Sequence, residues 1–337
     1  MRTRSARAGV VVLGVVMAVL ALSWAPAARA GQALNIGYIP TDSQAALMIA
    51  ADRYLPNDGF DVEMVRLQSG AAVITQVSTG QLQVGGGALG AAAYNAIAQG
   101  LPVKFVASLH NGFSEDYFTV RKSAWDSGEL RDIAALRGKP VAVNAKGVAT
   151  EWLLDQVLRQ NGITLDDVDL KTMPFPDMVP ALESGAIMAG IISEPFPTLA
   201  EDRGVGVRPF PRPANATPVP ITMIFFNTDW ATSNPDAANR FMVSYVKAAR
   251  DLALNDGWKS EANLAIMFKY TGADIDVIRR ARAHHIDPNL AVDQAILNAQ
   301  QVFSRDRGYL DYGELLAPEQ VFDWSYLEGA LRQLGRV

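Results

Sequence analysis

Short apolar strands alternate with helical segments along most of this chain, and this alternation restricts the fold more than any other feature of the sequence. The first strand, LNIGYI, begins at Leu34 and leads into the helical segment QAALMIAADRYL. The strands FDVEMVRL, LQVGG and PVKFVASL follow, separated by the helical segments AAVITQVSTG and LGAAAYNAIAQG. Strands that alternate with helices of about 10–15 residues indicate βαβ units and a parallel sheet. We therefore predict an α/β fold.

The same order of elements begins again at Lys139, with the segments PVAVNA, EWLLDQVLRQNG, DVDLKTMPF, PDMVPALESG and AIMAGIIS. Gly80 and Gly185 are 105 residues apart, and so are Gly85 and Gly190. Around these glycines STGQLQVG aligns with ESGAIMAG. An offset of this size corresponds to a domain and is too long for a solenoid repeat, whose period is about 20–50 residues. The sequence therefore predicts two structurally similar α/β lobes.

A proline-rich segment separates the second set of elements from the rest of the chain. Five of the eighteen prolines lie between residues 209 and 220, which is typical of a stiff linker. The strand ITMIFFN and a mostly helical region follow. We predict that residues 31–121 form the first part of lobe 1, residues 122–218 form lobe 2, and residues 219–337 return to lobe 1 and add C-terminal helices. Two crossings between lobes form a hinge, with the ligand in the cleft.

The first 30 residues have the pattern of a secretory signal peptide. Three arginines precede an apolar run at residues 9–22, and Ala-Arg-Ala occupies residues 28–30. The alternative, a retained anchor helix, needs about 20 apolar residues. Without residues 1–30 the chain has 26 basic and 35 acidic residues and a net charge of −9. We expect cleavage and export to a bacterial periplasm, with no stable membrane insertion afterwards.

Composition excludes several classes of function. The chain of 337 residues contains no cysteine and three histidines, His110, His284 and His285. Thiolate metal sites, iron–sulfur clusters and cysteine nucleophiles are therefore excluded. His284 and His285 are adjacent, and on a helix their side chains would point about 100° apart, which is a poor arrangement for binding one metal ion. The net charge of −5 argues against nucleic-acid binding. We predict no metal site, no cofactor and no nucleic-acid partner.

Four segments, taken in order, resemble a known family. They are IGYIPTDSQAALMIA, STGQLQVGGGALGAAAYNAIAQGLPVKFVAS, LRGKPVAVNAKGVATEWLLDQVL and ISEPFPTLAEDRG. Together they resemble the substrate-binding proteins of ABC importers for sulfonates, nitrate, taurine and hydroxymethylpyrimidine precursors. The resemblance covers residues from about 33 to 255 and fades in the C-terminal helices. It implies a type II periplasmic-binding fold that closes on a small ligand and docks transiently on an ABC permease and its ATPase.

Ligands of open α/β sheets bind where strands end and helices begin, and several such loops can be located in this sequence. The first loop, residues 40–44, contains residues that serve equally well as helix caps. The second, residues 85–90, has the spacing G-x-G-x-x-G, but it lacks the acidic residue that a dinucleotide site requires about 20 positions later. Its glycines would instead let the backbone approach a small ligand. The third, residues 146–150, opens a helix whose free N–H groups would form an anion cradle.

Two further strand ends complete the predicted site. His110 and Asn111 could donate hydrogen bonds, although such residues also occur in plain surface turns. Glu194 follows an apolar strand, so its carboxylate needs a partner, either a ligand amine or a lysine or arginine from the opposite lobe. Tyr117 and Phe118, or Phe196, could form a wall of the cleft against an apolar or aromatic group, although aromatic residues at such positions are more often part of the core. The predicted ligand-binding residues are Thr41, Asp42, Gln44, Gly87, Ala88, Leu89, His110, Asn111, Gly147, Val148, Ala149, Thr150, Glu194 and Phe196.

These features predict a receptor and not an enzyme, because no nucleophile–base triad and no G-x-S-x-G motif is evident. The pyrimidine synthase relatives of the family carry a cysteine-rich iron-binding motif, which this sequence lacks. The expected ligand is a small organic anion or zwitterion of the sulfonate, nitrate or taurine type, bound at helix starts. Acidic residues near the predicted cleft keep a pyrimidine or another nitrogenous ligand as an alternative. A periplasmic ligand sensor is the alternative to an importer component.

Overall fold

The strands form two five-stranded sheets whose strand orders correspond position by position. The computed structural model describes residues 31–211, 218–254 and 256–337. The strands are β1 (Gln32–Tyr38), β2 (Phe60–Arg66), β3 (Val84–Ala88), β4 (Val103–Gly112), β5 (Phe118–Arg121), β6 (Pro140–Val143), β7 (Asp169–Thr172), β8 (Ala189–Ile191), β9 (Gly206–Val207) and β10 (Val219–Asn227). The first sheet has the order β2-β1-β3-β10-β4 and the second the order β7-β6-β8-β5-β9.

In each sheet the fourth strand runs antiparallel to its neighbours and comes from the other half of the chain. The strand β1 pairs in parallel with β3, and β6 pairs in parallel with β7 and β8. The strand β10 pairs antiparallel with both β3 and β4, and β5 does so with β8 and β9. The predicted parallel pairing is present, and each sheet also contains one antiparallel strand that the sequence analysis did not predict. These two strands are the ones that follow a strand of the other sheet in the chain: β5 follows β4, and β10 follows β9.

Helices cover the sheets and form most of the C-terminal region. The longest of them is the 19-residue helix Pro235–Ala253. The helices are α1 (Ala45–Ile49), α2 (Gly70–Ser78), α3 (Ala91–Ala98), α4 (Ser114–Tyr117), α5 (Lys122–Ser127), α6 (Ala149–Gln160), α7 (Phe175–Ser184), α8 (Phe196–Asp202), α9 (Thr228–Ser233), α10 (Pro235–Ala253), α11 (Glu261–Thr271), α12 (Ile275–Arg280), α13 (Gln294–Asp306), α14 (Pro318–Val321) and α15 (Ser325–Leu334). A π-helical segment, Ala50–Tyr54, continues α1.

The prediction of two similar α/β lobes with additional C-terminal helices is confirmed. Gly85 lies in β3 and Gly190 in β8, which occupy the same position in their sheets. The 105-residue offset in the sequence thus corresponds to a repeated arrangement of strands. The strands β5 and β9 were not predicted, because four and two residues are too few to show a periodic pattern.

Each sheet is covered by its own buried apolar side chains. In the first, α10 packs against α1 and α15, and Leu47, Phe226 and Phe241 belong to the buried cluster between them. In the second, Val141 and Leu153 belong to a separate cluster. The chain from Ala33 to Val337 forms one compact unit. The two sheets therefore belong to a single folded body.

Two expectations from the sequence fall outside the described residues. The predicted signal peptide, residues 1–30, is one of them. By its contacts the chain divides after Gln32, and of the unit before this point the structure describes only Gly31 and Gln32. The centre of the proline-rich segment, residues 212–217, is the other. Within the described part of the chain, no helix has both the length and the apolar character needed to span a bilayer.

Candidate binding pocket

A small buried pocket lies where strands of both sheets end. The first sheet contributes the residues after β1 and the ends of β3, β4 and β10, and the second contributes the residues after β6 and β8. About 330 Å³ of unoccupied space, which includes some open solvent at the mouth, adjoins the lining residues, and about 20 Å³ can hold the centre of a water molecule. The lining residues are Ile39, Thr41, Ser43, Ala88, His110, Tyr117, Asn144, Thr150, Phe175, Ser193, Ile221 and Thr222.

The pocket wall contains neutral hydrogen-bonding groups. Six of its twelve residues carry a hydroxyl group, and Asn144 and His110 add an amide and an imidazole. Among the described lining residues there is no aspartate, glutamate, lysine or arginine. The Thr41 and Ser43 hydroxyl oxygens are 2.6 Å apart, and the Thr150 hydroxyl donates to Asn144 Oδ1 at 2.6 Å. Such a wall can match a ligand's donors and acceptors without a fixed charge.

One lining hydroxyl has no hydrogen-bond partner in the described structure. Ser193 Oγ is buried and lies at the pocket, directly after β8. A buried hydroxyl without a partner costs about 1–3 kcal/mol relative to a paired one. A ligand atom placed in the pocket would supply the missing partner.

A chain of buried hydrogen bonds leads from the pocket wall to a carboxylate behind it. His110 Nδ1 contacts the Thr222 hydroxyl, and His110 Nε2 lies 2.8 Å from the Tyr117 hydroxyl oxygen. The same oxygen lies 2.8 Å from His284 Nδ1, and His284 Nε2 lies 2.8 Å from Asp42 Oδ1. All five side chains are buried. We call this series, from Asp42 to Thr222, the buried hydrogen-bond chain.

Burial and the neighbouring His284 both lower the pKa of His110 well below its ordinary value of 6.5. His110 is therefore neutral, with one nitrogen that donates and one that accepts a hydrogen bond. Its two contacts, with Thr222 and with Tyr117, must differ in direction.

Four of the fourteen residues predicted as ligand contacts line the pocket: Thr41, Ala88, His110 and Thr150. A fifth, Asp42, is connected to the pocket only through the buried hydrogen-bond chain. The other predicted residues do not line it. Each of these lies in a core, in a strand pairing or in a contact between loops.

The predicted anion cradle at residues 146–150 is already hydrogen-bonded by the protein itself. The Gly147 N–H donates to the Glu151 carboxylate at 2.5 Å, and the Ala149 N–H donates to the Leu89 carbonyl at 3.1 Å. In return, the Ala91 N–H donates to the Gly147 carbonyl at 2.7 Å. Val148 forms a β-bridge with Gly90 in the same contact. The start of α6 thus binds the loop after β3.

Glu194 has a protein partner rather than a position in the pocket wall. Its carboxylate accepts from the Arg208 guanidinium, from the Thr198 hydroxyl at 3.0 Å and from the Arg282 N–H at 3.1 Å. The Glu194 and Arg208 side chains are each 2% exposed. The partner is an arginine, but it does not come from the opposite lobe: Arg208 follows β9, a strand of the same sheet as β8. The Glu194 backbone carbonyl also accepts from the Asp42 N–H at 3.2 Å.

The remaining predicted residues are structural in this arrangement. Phe196 and Leu89 are core residues, and Gly87 pairs with Met223 in the sheet. Asn111 forms a β-bridge with His285. Gln44 is fully buried, and its side-chain amide has no hydrogen-bond partner in the described structure.

Eight of the twelve lining residues are absent from the fourteen predicted ligand-binding residues, although Tyr117 was expected as a possible wall of the cleft. Asn144 and Ser193 lie at the ends of the predicted strands PVAVNA and AIMAGIIS, so the strand-end rule that selected Thr41 applies to them as well. Tyr117 and His284 are 167 residues apart and meet only in the fold. No local pattern could have brought them together. The other lining residues that were missed are Ile39, Ser43, Phe175, Ile221 and Thr222.

Comparison with known proteins gives the family. The model of the NMT1-like family matches residues 27–267. The chain belongs to the NMT1-like family. A search of curated proteins found no match. Within the described residues of this family member, no group of three or more histidine, aspartate or glutamate side chains could hold a metal ion.

Solved structures with the same fold include binding proteins and an enzyme. The zinc-bound ligand-binding component of an ABC-type import system from Staphylococcus aureus has a TM-score of 0.72 at 15% identity, covering 89% of this chain and 99% of its own. The alkanesulfonate-binding protein SsuA from Xanthomonas axonopodis, bound to MOPS, has a TM-score of 0.65 at 17% identity, covering 86% and 98%. The desulfurization enzyme DSZB has a TM-score of 0.59 at 16% identity, covering 90% and 99%. The fold of the NMT1-like chain is therefore the periplasmic-binding fold.

Proposed function

We propose that this protein is a periplasmic solute receptor that closes its two lobes on a small organic anion or zwitterion and delivers it to an ABC importer. The observation that carries the proposal is the pocket: hydroxyl, amide and imidazole groups from the strand ends of both sheets surround one buried space. A ligand held by both sides is bound tightly only in the closed form, so binding shifts the population toward closure.

The chemistry of the wall favours a ligand with oxygen acceptors. The unpaired Ser193 hydroxyl and the Asn144 amide nitrogen can donate to the oxygens of a sulfonate, nitrate or carboxylate, and the first turn of α6, at its positive end, contains Thr150. The alternative ligand is a pyrimidine or another nitrogenous compound. The apolar residues Ile39, Phe175 and Ile221 would support it, because they could contact the faces of a ring.

An enzyme on the same scaffold is the second candidate. The fold of the desulfurization enzyme DSZB and the contact between the Thr222 hydroxyl and His110 favour it. Activation of a hydroxyl requires a base whose pKa is near the working pH. Burial holds the pKa of His110 well below that range, which makes His110 a weak base. The receptor is therefore the better proposal.

Location, partners and lobe boundaries complete the proposal. Residues 1–30 would direct export and be removed, and the mature protein would dock on a permease and its ATPase. A sensor would instead present its closed form to a signalling protein. We place one crossing between the lobes after β4 and the other before β10, because β5 pairs with the second sheet and β10 with the first. The predicted boundary after residue 121 moves accordingly.

Thermal unfolding with candidate ligands tests the receptor. The mature protein would be screened with alkanesulfonates, taurine, nitrate, aromatic acids and aminopyrimidines. A ligand at about 100 times its Kd adds about 2.7 kcal/mol to the free energy of unfolding, so one class should raise the Tm by several degrees.

A matched pair of variants shows whether the ligand occupies the described pocket. T150V removes a pocket hydroxyl and should abolish most of the shift. T271V removes an equally buried hydroxyl that bonds within α11, and should keep the shift. No stabilisation by any class, together with turnover of one of the compounds, would favour the enzyme.

A further inference from the structure

The helix α13, Gln294–Asp306, contacts both lobes. It packs against α3 of the first lobe, against α6 of the second lobe, and against β10. Leu297 belongs to a buried apolar cluster of the first sheet, whereas Phe303, six residues later, belongs to the cluster of the second sheet. Separation of the two lobes must therefore detach α13 from one of them.

The contacts of α13 with the first lobe include hydrogen bonds of its backbone. The Leu297 carbonyl accepts from the Tyr94 hydroxyl at 3.2 Å. Just after the helix, the Tyr309 carbonyl accepts from Asn95 Nδ2 at 2.9 Å, and the Asp311 N–H donates to Asn95 Oδ1 at 3.0 Å. Tyr94 and Asn95 both lie in α3. The helices that follow, α14 and α15, pack on β4 of the first sheet, so the chain after α13 is attached to the first lobe as well.

The contacts of α13 with the second lobe are made by side chains. Phe303 adjoins the start of α6. Just after the helix, Arg307 Nη1 donates to Asp166 Oδ1 at 2.8 Å, and the Tyr309 hydroxyl donates to Glu151 Oε1 at 2.7 Å. Asp166 is largely exposed, so its ion pair contributes little to the free energy of closure. Glu151 is fully buried, which makes the hydrogen bond from Tyr309 the stronger contact.

The Glu151 carboxylate connects Tyr309 to the loop that brings Thr150 to the pocket. Its other oxygen accepts from the Gly147 N–H, and the Gly147 carbonyl accepts from the Ala91 N–H of the first lobe. The Tyr309 ring also lies 3.4 Å from the position that a Cβ atom on Gly147 would take. Without the Tyr309 hydroxyl, one oxygen of a buried carboxylate would lose its partner in the closed form, whereas water could reach that oxygen in an open form.

We propose that α13 and the residues up to Tyr309 form a latch, which moves with the first lobe and holds the second lobe only in the closed form. Tyr309 is the positioning residue of this latch. It is not among the residues that line the pocket, so it acts on a ligand through Glu151 and the loop at residues 146–150. The latch determines how long a ligand stays bound, because the ligand leaves only after the lobes separate. This inference rests on the proposed function.

Distances between spin labels test the latch without any ligand. The chain has no cysteine, so labels can be attached to cysteines introduced at exposed positions: Ala299 on α13, Glu63 on β2 and Thr172 on β7. In the unliganded mature protein, the distance between labels at A299C and E63C should match the described structure. The distances between A299C and T172C should extend to larger values.

The reverse result, with the larger distances between A299C and E63C, would overturn the latch alone, because α13 would then move with the second lobe. If both label pairs keep the distances of the described structure, the lobes do not separate. That result would contradict the closure in the proposed function and the latch with it.

The dissociation of ethanesulfonate, followed by stopped-flow tryptophan fluorescence, tests the role of Tyr309. Y309F should raise the dissociation rate constant by about tenfold, because the closed form loses a hydrogen bond to a charged acceptor. The association rate constant and the Tm without ligand should stay nearly unchanged, because water replaces the hydroxyl in the open form. Y312F is the matched control, since the Tyr312 hydroxyl oxygen lies 3.2 Å from the side-chain amide of Gln301 in α13 itself. Its dissociation rate constant should equal that of the unsubstituted protein.

A lower Tm of unliganded Y309F with an unchanged dissociation rate constant would show that Tyr309 supports only the fold, and would overturn its positioning role. Equal dissociation rate constants in Y309F and Y312F would do the same. Ethanesulfonate that does not bind would contradict the sulfonate ligand of the proposed function, while the spin-label distances still decide the latch.

Discussion

At the scale of single residues, Ser193 is the pocket residue that a ligand would affect most, because a ligand can supply the hydrogen bond that its hydroxyl lacks. Its hydroxyl is buried without a partner, whereas Thr41, Thr150 and Thr222 already have one each. Removing an unpaired buried hydroxyl is nearly neutral for folding, because no hydrogen bond is lost. The same removal deprives a bound ligand of a partner.

We therefore expect S193A to separate binding from stability. The free energy of unfolding without ligand should stay the same or rise slightly, and the Kd of the ligand found by thermal screening should increase by about five- to fifteenfold, corresponding to about 1–1.5 kcal/mol. Chemical denaturation and calorimetric titration measure the two quantities. S78A is the matched control: Ser78 is similarly buried but bonds within α2, so its substitution should leave the Kd unchanged. A Kd of S193A equal to that of S78A would remove Ser193 from the binding site.

The rule that ligands bind at the ends of strands identified those residues of the candidate pocket that can be recognised from the local sequence. Thr41, Ala88 and His110 each lie at or just after a strand end, and each lines the pocket. The rule could not show that Glu194 would be neutralised by Arg208, because that pairing depends on how the chain returns through β9. Nor could it find His284, which reaches Asp42 across 242 residues of sequence.

At the scale of elements, the loop after β3 and the start of α6 approach as closely as their backbones allow. A Cβ atom on Gly90 would lie 2.2 Å from the Gly147 carbonyl oxygen and 2.9 Å from Val148 Cα. The backbone of Gly90 is extended and any residue could adopt it, so the constraint is this contact alone. Two backbone hydrogen bonds, from Ala91 to Gly147 and from Ala149 to Leu89, depend on it.

G90A should therefore impair closure and spare folding. Loss of two hydrogen bonds of about 0.5–1.5 kcal/mol each corresponds to a ligand affinity reduced by about five- to 150-fold. The Tm without ligand should change little. G313A is the control, because nothing lies within 4 Å of the Cβ position at Gly313. Calorimetric titration of both variants measures the effect, and unchanged affinity in G90A would show that this contact does not form in the bound state.

The elements themselves were largely predictable, with an instructive exception. Eight of the ten strands were expected, because they carry apolar runs of sufficient length. The direction of β10 was not, since an apolar strand such as ITMIFFN has no feature that distinguishes parallel from antiparallel pairing. Its direction follows from the path of the chain between the two sheets.

At the scale of the whole molecule, the described conformation is closed around its pocket. Only about 20 Å³ of the pocket can hold the centre of a water molecule, so a ligand of several atoms cannot enter unless the walls separate. The strands β4 and β10 pair beside the two crossings between the lobes. A rotation at these crossings would open the pocket while leaving both sheets intact.

We expect the radius of gyration in solution to decrease when ligand binds. Small-angle X-ray scattering of the mature protein should fit the described closed conformation at ligand saturation and a more open one without ligand. G90A should stay open at a ligand concentration that closes G313A. Identical scattering curves with and without a binding ligand would contradict closure by a hinge.

The position of β10 also determines the order in which the chain can assemble. The strands of the second sheet are complete once Val207 has been synthesised, whereas the first sheet lacks its fourth strand until Asn227 follows. Until then β3 and β4 have no strand between them, and their facing edges are open to pairing with other chains. During synthesis, which starts at the N-terminus, the second sheet can therefore be completed before the first sheet, although four strands of the first sheet come earlier in the chain. Between these two events chaperones would protect the incomplete first sheet from aggregation.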